Sequence, residues 1–552
     1  MSLSAGSPID PADGPAFALG GRVVPMTTRD AVLEQGVVYA RAGTIVAVQG
    51  SDVPVPAGFE GVEVLQTGGT IFPGLIDLHD HLSYNALQLW DVPKTYANRD
   101  QWAQGDTYRQ LITGPMKVLA HTPAYVPAIV RYVEAKCLVG GTTTSQGLAL
   151  SSYAGIQHYY RGIVRNVEQT DDPELPEATD HIADVDAKDR SKFLKRLKQF
   201  DCLLLHLSEG TNDAAREHFL ALQAPAGDWA VTDSLAGIHC VALTAADFGV
   251  LASAGASMIW SPLSNLLLYG RTARIADAVK AGLTIGLGPD WSPSGSKNLL
   301  GELKIARLAA ALDNAALSDF DLVSLATRNA AEILRWNERL GTIEARKHAD
   351  LLVVDGQDGD PYAHLLGSSE HDIELVVING FPRYGASRPM EKLLGHDSDK
   401  VESATIAGRK RLLDLRQTTS DPSVAKLSLA QATGLLVEGL SRLPELAKDL
   451  ETKPALELLD GASAGDAVFL VLDHDDLAGV DLRPHLPDRN GNYTAEPSPE
   501  LGAAVSSTPL PDLLVPLTLD PLTVHDDPRF LDLLATERNL PQQIADEIPN
   551  LY

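Results

Sequence analysis

The sequence predicts an α/β protein, a (β/α)8 TIM-like barrel with a small β-sandwich built from both flanks, plus a C-terminal extension. Between about residues 71 and 335, short apolar strands alternate with helical stretches, a pattern typical of βα units around a parallel sheet. Strand-rich segments punctuated by glycine lie on both sides of this region. The chain has 552 residues, 44% hydrophobic and 21% charged, so we expect several domains and a sizeable core.

The changes in pattern divide the chain into four expected parts. Residues 1–70 form the N-terminal part of the β-sandwich, 71–338 the barrel, 339–386 the C-terminal part of the sandwich, and 387–552 an extension of unknown role. The extension holds amphipathic helical segments and then a Pro-rich, Asp-rich stretch. It could cover a pocket, form a subunit interface or pack on the barrel.

Seven barrel strands are expected from apolar runs. They lie in "IFPGLIDLHDH", "GGTTTSQG", "GIVRNVE", "CLLLHLSE", "GIHCVAL", "SMIWSPLSN" and "LTIGLGPDW". The best candidate for an eighth is "HIADVD", residues 181–186. Helical periodicity fits "SKFLKRLKQF", "NLLGELKIARLAAAL" and "DFDLVSLATRNAAEILRW", and strands return in "ADLLVVDGQ" and "IELVVINGFPRYG".

Charge and cysteine content exclude several classes of protein. The net charge of −28 argues against nonspecific binding to nucleic acid or to an anionic membrane, and favours a small-molecule partner. The three cysteines are far apart without zinc spacing, which predicts a reducing, cytoplasmic location. No run approaches the roughly 18 apolar residues of a membrane span. A homo-oligomer is compatible with these features.

Four of the strands end in residues that can bind a metal or carry a proton. His79 and His81 alternate at the end of one strand and can therefore project into the same site. His206 ends another, with Glu209 three residues later; His239 and Asp290 end two more. The carboxyl ends of parallel barrel strands open onto one face, so these residues are expected to converge.

Three imidazoles and a carboxylate suit one divalent ion, Zn²⁺ or Fe²⁺. Such an ion lowers the pKa of a bound water molecule from 15.7 towards roughly 7. Glu209 is then placed to deliver protons to the substrate. His239 would orient the attacking water or polarise the substrate.

Five segments together resemble one family: "PGLIDLHDHL", "HLSE", "IHC", "SPLSNLLLYG" and "GLGPDW" look like the amidohydrolase superfamily. The similarity is greatest to the branch that holds guanine and cytosine deaminases, S-adenosylhomocysteine deaminases and triazine hydrolases, and it covers about residues 17–386.

The resemblance implies roles for the residues of the expected site. It implies metal ligation by His79, His81, His206 and Asp290. It also implies that Glu209 is the proton shuttle, that His239 faces the attacking water, and that Asp290 takes that water's proton. Binuclear members of the superfamily have a lysine late in the fourth strand. Lys188 lies instead in a polar helix start, which favours a single metal ion.

Each of these residues also has a purely structural interpretation. His79 and His81 could be polar residues at a strand end, and Asp290 a helix N-cap. Glu209 could be a solvated carboxylate at a helix start, and His239 a hydrogen-bonded core histidine. The expected substrate contacts follow the metal-site strands or lie near the mouth of the barrel: Asn85, Trp90, Ser264, Asn265 and Trp291.

The sequence thus predicts a metal-dependent amidohydrolase that deaminates a nitrogen heterocycle or amidine-like compound by means of metal-activated water. The same site could instead hydrolyse a cyclic amide, an imidazolone-like ring or a carbon–halogen bond. A third alternative is a non-catalytic binding protein on an amidohydrolase fold, although such proteins usually lose their ligands.

Overall fold

The computed structural model describes residues 14–103, 105–152, 156–181, 190–223, 227–417, 424, 427–452, 468–472 and 508–552. Most of the eighth-strand candidate at 181–186 lies outside the described residues, as does Lys188. The described part is an α/β structure with parallel, antiparallel and mixed sheets.

The strands follow one another along the chain as β1 Phe17–Val23, β2 Leu33–Arg41, β3 Thr44–Gly50, β4 Val64–Pro73, β5 Leu75–Ile76, β6 Thr142–Ser145, β7 Ala149–Ser152, β8 Gln157–Tyr159, β9 Arg165–Asn166, β10 Ala178–His181, β11 Cys202–Leu207, β12 Leu235–His239, β13 Ser257–Trp260, β14 Thr284–Leu287, β15 Leu351–Asp355, β16 Ile373–Ile378, β17 Phe381–Ala386, β18 Glu402–Ile406, β19 Arg409–Leu413 and β20 Val468–Leu470.

The α-helices are α1 Arg99–Ala103, α2 Asp106–Tyr108, α3 Gly114–Ala120, α4 Val126–Val139, α5 Arg190–Leu197, α6 Asp213–Leu220, α7 Ala245–Ser253, α8 Pro262–Tyr269, α9 Ile275–Ala281, α10 Leu299–Leu312, α11 Asp319–Leu325, α12 Arg328–Ile333, α13 Pro361–Gly367, α14 Ser387–Leu394, α15 Leu429–Ser441, α16 Leu443–Thr452, α17 Leu510–Leu513, α18 Phe530–Thr536 and α19 Gln542–Ala545. Short 3₁₀ segments occupy Leu82–Ala86, Glu370–Asp372, Gly395–Lys400 and Ile548–Asn550, and a π-helical turn occupies Arg109–Thr113.

Two parallel sheets carry the strands that precede the expected site. One has the order β10-β11-β12-β13-β14 and the other β5-β6-β9. Each of the seven segments in which the sequence predicts a barrel strand contains a strand of these sheets. Backbone hydrogen bonds connect the sheets at both edges, from Leu78 N to Leu287 O at 3.2 Å and from Ala178 N to Val167 O at 2.8 Å.

Apolar side chains from both parallel sheets share one buried cluster. Its members include Ile76, Leu78, Leu204, Ile238 and Ile259, each in or close to a strand, and helix α12 also contributes to it. The site residues at the strand ends thus adjoin a packed apolar core.

A nine-stranded sheet joins both flanks of this region, in the order β18-β19-β17-β16-β15-β4-β1-β2-β3. Its two halves meet where β4 pairs antiparallel with β15, with Ile71 opposite Val353. The N-terminal and C-terminal flanks therefore share one sheet. Strands β18 and β19 extend it beyond residue 386, while the predicted domain boundaries stay predictions.

The described part of the C-terminal extension packs against the rest of the chain. Arg131 of α4 donates hydrogen bonds to the carbonyl oxygens of Leu415, Val424 and Leu427. Asp520 is fully buried and pairs with Lys136 and Lys297, both also buried. Among the described helices, none is long and apolar enough to cross a membrane.

Candidate metal and active site

Four histidine rings from three strands converge beside one carboxylate. The ring centroid of His79 lies 5.0 Å from that of His81, 4.7 Å from that of His206 and 5.1 Å from that of His239. Oδ1 of Asp290 lies 3.0 Å from His79 Nε2 and 3.4 Å from His81 Nε2. The structure thus brings these five predicted residues together at the carboxyl ends of β5, β11, β12 and β14.

The backbone is unusual where two of these residues leave their strands. His239 has φ 65° and Asp290 has φ 72°, in the left-handed region that non-glycine residues rarely adopt. Regular strand geometry would alternate the side chains between the two faces. The left-handed conformation interrupts that alternation at the strand ends, and such strained residues concentrate at functional sites.

His79 is held by Gln146, which follows β6. The Nδ1–H of His79 donates a hydrogen bond to Gln146 Oε1 at 3.0 Å. The same oxygen accepts a hydrogen bond from the backbone N–H of Asp80 at 3.0 Å. Because Gln146 Oε1 can only accept, Nδ1 carries the proton and Nε2 keeps its lone pair towards Asp290. This tautomer is the one that a histidine ligand bound through Nε2 requires. Sequence reasoning missed Gln146, although it ends the strand segment "GGTTTSQG".

The donor atoms of this cluster fit one divalent metal ion. One donor atom each from His79, His81 and His206 lie within 4.8 Å of one another, and the same holds for His79, His239 and Asp290. His79 Nε2, which lies 3.0 Å from Asp290 Oδ1, is buried and has no hydrogen-bond partner among the described residues. A buried polar atom without a partner is costly, so an occupant for the site is physically favoured.

The electrostatics of the cluster also suit a metal. Burial, together with the neighbouring histidines, lowers the pKa of His206 well below its ordinary value, so the ring is neutral and offers a lone pair. Burial alone would raise the pKa of Asp290. The imidazoles of His79, His239 and His81 outweigh that effect and hold the pKa well below its usual range, which keeps the group a carboxylate.

The second oxygen of Asp290 is held by a neighbouring helix. Ser264 of α8 donates its hydroxyl proton to Asp290 Oδ2 at 2.5 Å, and its oxygen lies 3.2 Å from Ser294 Oγ. Ser264, which the sequence suggested as a substrate contact, therefore positions a residue of the site in this structure. Its contact with substrate stays a prediction.

Glu209 lies beside His239, with 3.8 Å between Glu209 Oε2 and His239 Nε2. Tyr269 donates its hydroxyl proton to Glu209 Oε1 at 2.6 Å, and Trp102 Nε1–H donates to the Tyr269 oxygen at 2.8 Å. Because an indole N–H can only donate, the Tyr269 proton is directed at Glu209. Arg99 Nη1 adds positive charge 3.7 Å from Oε2. Arg99, Trp102 and Tyr269 were not predicted, although "SPLSNLLLYG" contains Tyr269.

The remaining predicted substrate contacts lie within the packed surroundings of the site. Asn85 donates to Asp80 Oδ1 at 2.9 Å and accepts from the backbone N–H of Ser292 at 2.7 Å. Trp291 is buried, with its ring centroid 5.8 Å from that of His81, and Trp90 packs 5.7 Å from Tyr108. The fifth, Asn265, donates to His239 Nδ1 at 2.9 Å. Roles in substrate binding stay predictions for all of them.

A small cavity of about 20 Å³ lies beside His81 and His206, enough for about one water molecule. Its other lining residues come from the loops and strands around it and include Gln146, Tyr159, Glu168, Asp180 and Ile238. Two of the metal-capable residues, His81 and His206, thus line a cavity at the ends of the parallel strands.

Comparison with known proteins agrees with the fold. Residues 206–381 match the amidohydrolase family. This match of part of the chain confirms the resemblance seen in the sequence. The match begins at the last two residues of β11 and includes β12, β13 and β14.

Two relatives illustrate how far the similarity extends along the chain. A 5-methylthioadenosine/S-adenosylhomocysteine deaminase of Symbiobacterium thermophilum is 25% identical over 421 residues, which are 65% of this chain and 91% of that protein. A protein of the same name from Caldanaerobacter subterraneus subsp. tengcongensis is 32% identical over 155 residues, 26% of this chain and 35% of that protein.

Solved structures show the same fold at low identity. An adenosine deaminase from Xanthomonas campestris with bound zinc has a TM-score of 0.50 at 19% identity, covering 78% of this chain and 99% of that one. A triazine hydrolase from Arthrobacter aurescens has a TM-score of 0.54 at 21% identity, covering 66% and 94%. These neighbours indicate an α/β fold of the TIM-barrel type.

Proposed function

We propose that the protein is a metal-dependent hydrolase that removes an amino group from a nitrogen heterocycle or amidine-like small molecule. The observation that carries the proposal is the convergence of His79, His81, His206 and Asp290 with Glu209 and His239. The deaminase names of the relatives support the same reaction class. The two parallel sheets, hydrogen-bonded at both edges, would then form the closed eight-stranded barrel that carries the site.

His79, His81, His206 and Asp290 would hold one divalent ion, Zn²⁺ or Fe²⁺, since both accept nitrogen and oxygen donors. When bound, such an ion supplies hydroxide at neutral pH by lowering the pKa of water towards about 7. The zinc in the adenosine deaminase neighbour makes zinc the first ion to test.

The proton-handling residues are Glu209 and Asp290, which transfer protons, and His239, which directs a hydrogen bond; together they carry out the remaining steps. As a water oxygen attacks the ring carbon that bears the amino group, Asp290 accepts one of its protons, and protonated Glu209 delivers a proton to the adjacent ring nitrogen. The carbon–nitrogen bond to the amine then breaks, and the amine leaves as ammonia with the proton from Asp290. The remaining hydroxyl proton returns to Glu209 as the carbonyl forms, so the residues end as they began.

His239 contributes a hydrogen bond at this centre rather than a transferred proton. Burial and its histidine neighbours outweigh the carboxylate of Asp290 and lower the pKa of His239 well below its ordinary value, so the ring is neutral. A neutral imidazole next to the attacking oxygen can orient that oxygen by a hydrogen bond without gaining or losing a proton in the reaction.

The test is ammonia release by the metal-loaded protein from nucleobases, nucleosides, pterins and amino-triazines. Glu209→Gln is the variant, and Glu217→Gln, at an exposed position on α6, is its matched control. We expect release that Glu209→Gln abolishes and Glu217→Gln leaves unchanged. Silence across the panel with stoichiometric metal would overturn deamination and direct product-mass analysis to ring-opening or dehalogenating hydrolysis. A protein that binds no metal would favour a binding role.

A further inference from the structure

A chain of hydrogen bonds runs from the end of β13 to the ring of His239. Trp260 Nε1–H donates to Thr272 Oγ1 at 2.6 Å. Thr272 Oγ1–H donates to Asn265 Oδ1 at 3.3 Å. Asn265 Nδ2–H donates in turn to His239 Nδ1 at 2.9 Å. Trp260, Asn265 and His239 are buried, and Thr272 is half-buried.

The donors and acceptors of the four groups give this chain a consistent direction. An indole nitrogen can donate a hydrogen bond but never accept one, so the Thr272 oxygen accepts from Trp260. The hydroxyl proton of Thr272 points at the amide oxygen of Asn265. The amide NH₂ then faces His239, because an amide has its donor and acceptor on opposite branches.

We propose that Trp260, Thr272 and Asn265 act as positioning residues that fix the tautomer of His239, with Nδ1 unprotonated and Nε2 protonated. A neutral imidazole has one N–H, and Nδ1 already accepts from Asn265. The proton therefore sits on Nε2, the nitrogen that lies 3.8 Å from Glu209 Oε2. His239 then presents a hydrogen-bond donor to the reaction centre.

The benefit of this arrangement for catalysis rests on the proposed deaminase function. A donor that is already oriented costs no rearrangement when negative charge develops on the attacking oxygen. With the opposite tautomer, Nε2 would present a lone pair to that oxygen and repel it. The tautomer itself is a property of the folded protein, and it can be measured without substrate.

The first experiment is NMR of the zinc-loaded full chain labelled with ¹⁵N-histidine. Long-range ¹H–¹⁵N correlations distinguish a protonated ring nitrogen from one with a lone pair, and the His239→Gln variant identifies the His239 signals by their loss. We expect a protonated Nε2 and an unprotonated Nδ1. A protonated Nδ1 in the wild-type protein overturns the proposal.

Three variants test the chain link by link. Asn265→Asp replaces the amide donor with a carboxylate that only accepts, so we expect Nδ1 of His239 to become protonated. Thr272→Val removes the hydroxyl that orients the amide and acts on the longest of the three contacts, so we expect a measurable Nδ1-protonated fraction. Thr272→Ser keeps the hydroxyl and should retain the wild-type pattern.

The outcomes separate this proposal from the proposed function. An unchanged tautomer in Asn265→Asp or Thr272→Val refutes the relay even if the protein is an active deaminase. Should Thr272→Val fail to fold, the wild-type spectrum and Asn265→Asp still decide. If the protein releases ammonia, Asn265→Asp should lower kcat by about 10²-fold with little change in KM, as expected for the loss of one oriented donor. An inactive protein with the expected tautomers would overturn only the deaminase function.

Discussion

Glu302 gives the sharpest test of the electrostatics around the site, because it is a buried acid that the proposed chemistry does not use. It lies on α10 and is fully buried. Its carboxyl oxygens accept hydrogen bonds from the backbone N–H of Leu263 and from the hydroxyl of Ser296. Burial, with a smaller contribution from Asp290, raises the pKa of Glu302 to about 8, despite these two donors.

This pKa makes the stability of the protein depend on pH in a defined direction. In the unfolded chain the carboxyl loses its proton near its ordinary pKa of 4.5. The native protein binds that proton up to about pH 8, so its free energy of unfolding falls as the pH rises through this window. At about 1.4 kcal/mol per pKa unit the loss has an upper limit of about 5 kcal/mol. Local rearrangement and water entry reduce it, and we expect about 2–3 kcal/mol.

The perturbation is Glu302→Gln, which keeps the shape, keeps an acceptor for the Leu263 N–H, can donate to the Ser296 hydroxyl oxygen instead of accepting from it, and does not titrate. Urea unfolding at about pH 5 and about pH 9 should show that the stability difference between variant and wild type moves in favour of the variant by about 2–3 kcal/mol. Glu217→Gln, at the exposed position on α6, should show no such change. A difference that stays constant with pH, or one that moves against the variant, would refute the reasoning.

The other predictions concern the site and the tail. Glu209→Gln should lower ammonia release by about 10²–10⁴-fold with bound metal unchanged, and loss of metal in this variant would contradict its role as a proton carrier. Tyr269→Phe, which removes one donor to that carboxylate, should lower kcat by about tenfold to a hundredfold in the same assay. Asp520→Ala should lower the free energy of unfolding by about 3–5 kcal/mol because it leaves two buried lysine ammonium groups with fewer partners. Urea unfolding checks this, with the exposed Asp512→Ala as control. Removing the metal with a chelator should lower Tm, and adding zinc should restore it; an unchanged Tm would count against a metal that stabilises the fold.

The residues that bring the site together could be predicted from sequence because their types are informative at strand ends. A histidine or aspartate directly after an apolar strand has few structural roles, and parallel strands bring such positions to one face. The roles of Gln146, Tyr269 and Thr272 could not be predicted in this way. Glutamine, tyrosine and threonine occur in every kind of segment, and their roles here depend on three-dimensional contacts. Only the partner across space, such as the indole of Trp260, distinguishes them.

The tail could not be interpreted from sequence for a related reason. Asp520 stands in a Pro-rich, Asp-rich stretch that resembles a solvated acidic segment, yet it is buried against Lys136 and Lys297, 384 and 223 residues away. Burial of such a group depends entirely on these distant cations.

The helical pattern over residues 319–336 shows the same limit at short range. It corresponds to two helices, α11 and α12, separated where the Thr327 hydroxyl bonds to Val323 O.

One short helix explains why the motif "SPLSNLLLYG" accompanies the metal-capable residues. Ser264, Asn265 and Tyr269 all belong to α8, and each donates a hydrogen bond to a different one of the proton-handling residues. The donors to His239 and Glu209 are in turn directed by buried indoles, which fix their proton positions without any titration. Tyr269 donates to Glu209 Oε1, and Oε2 is the oxygen that lies 3.8 Å from His239 Nε2, so a proton exchanged with a substrate beside His239 would move through Oε2. A rigid helix that sets three proton positions at once predicts that small displacements of α8 change kcat while metal binding persists.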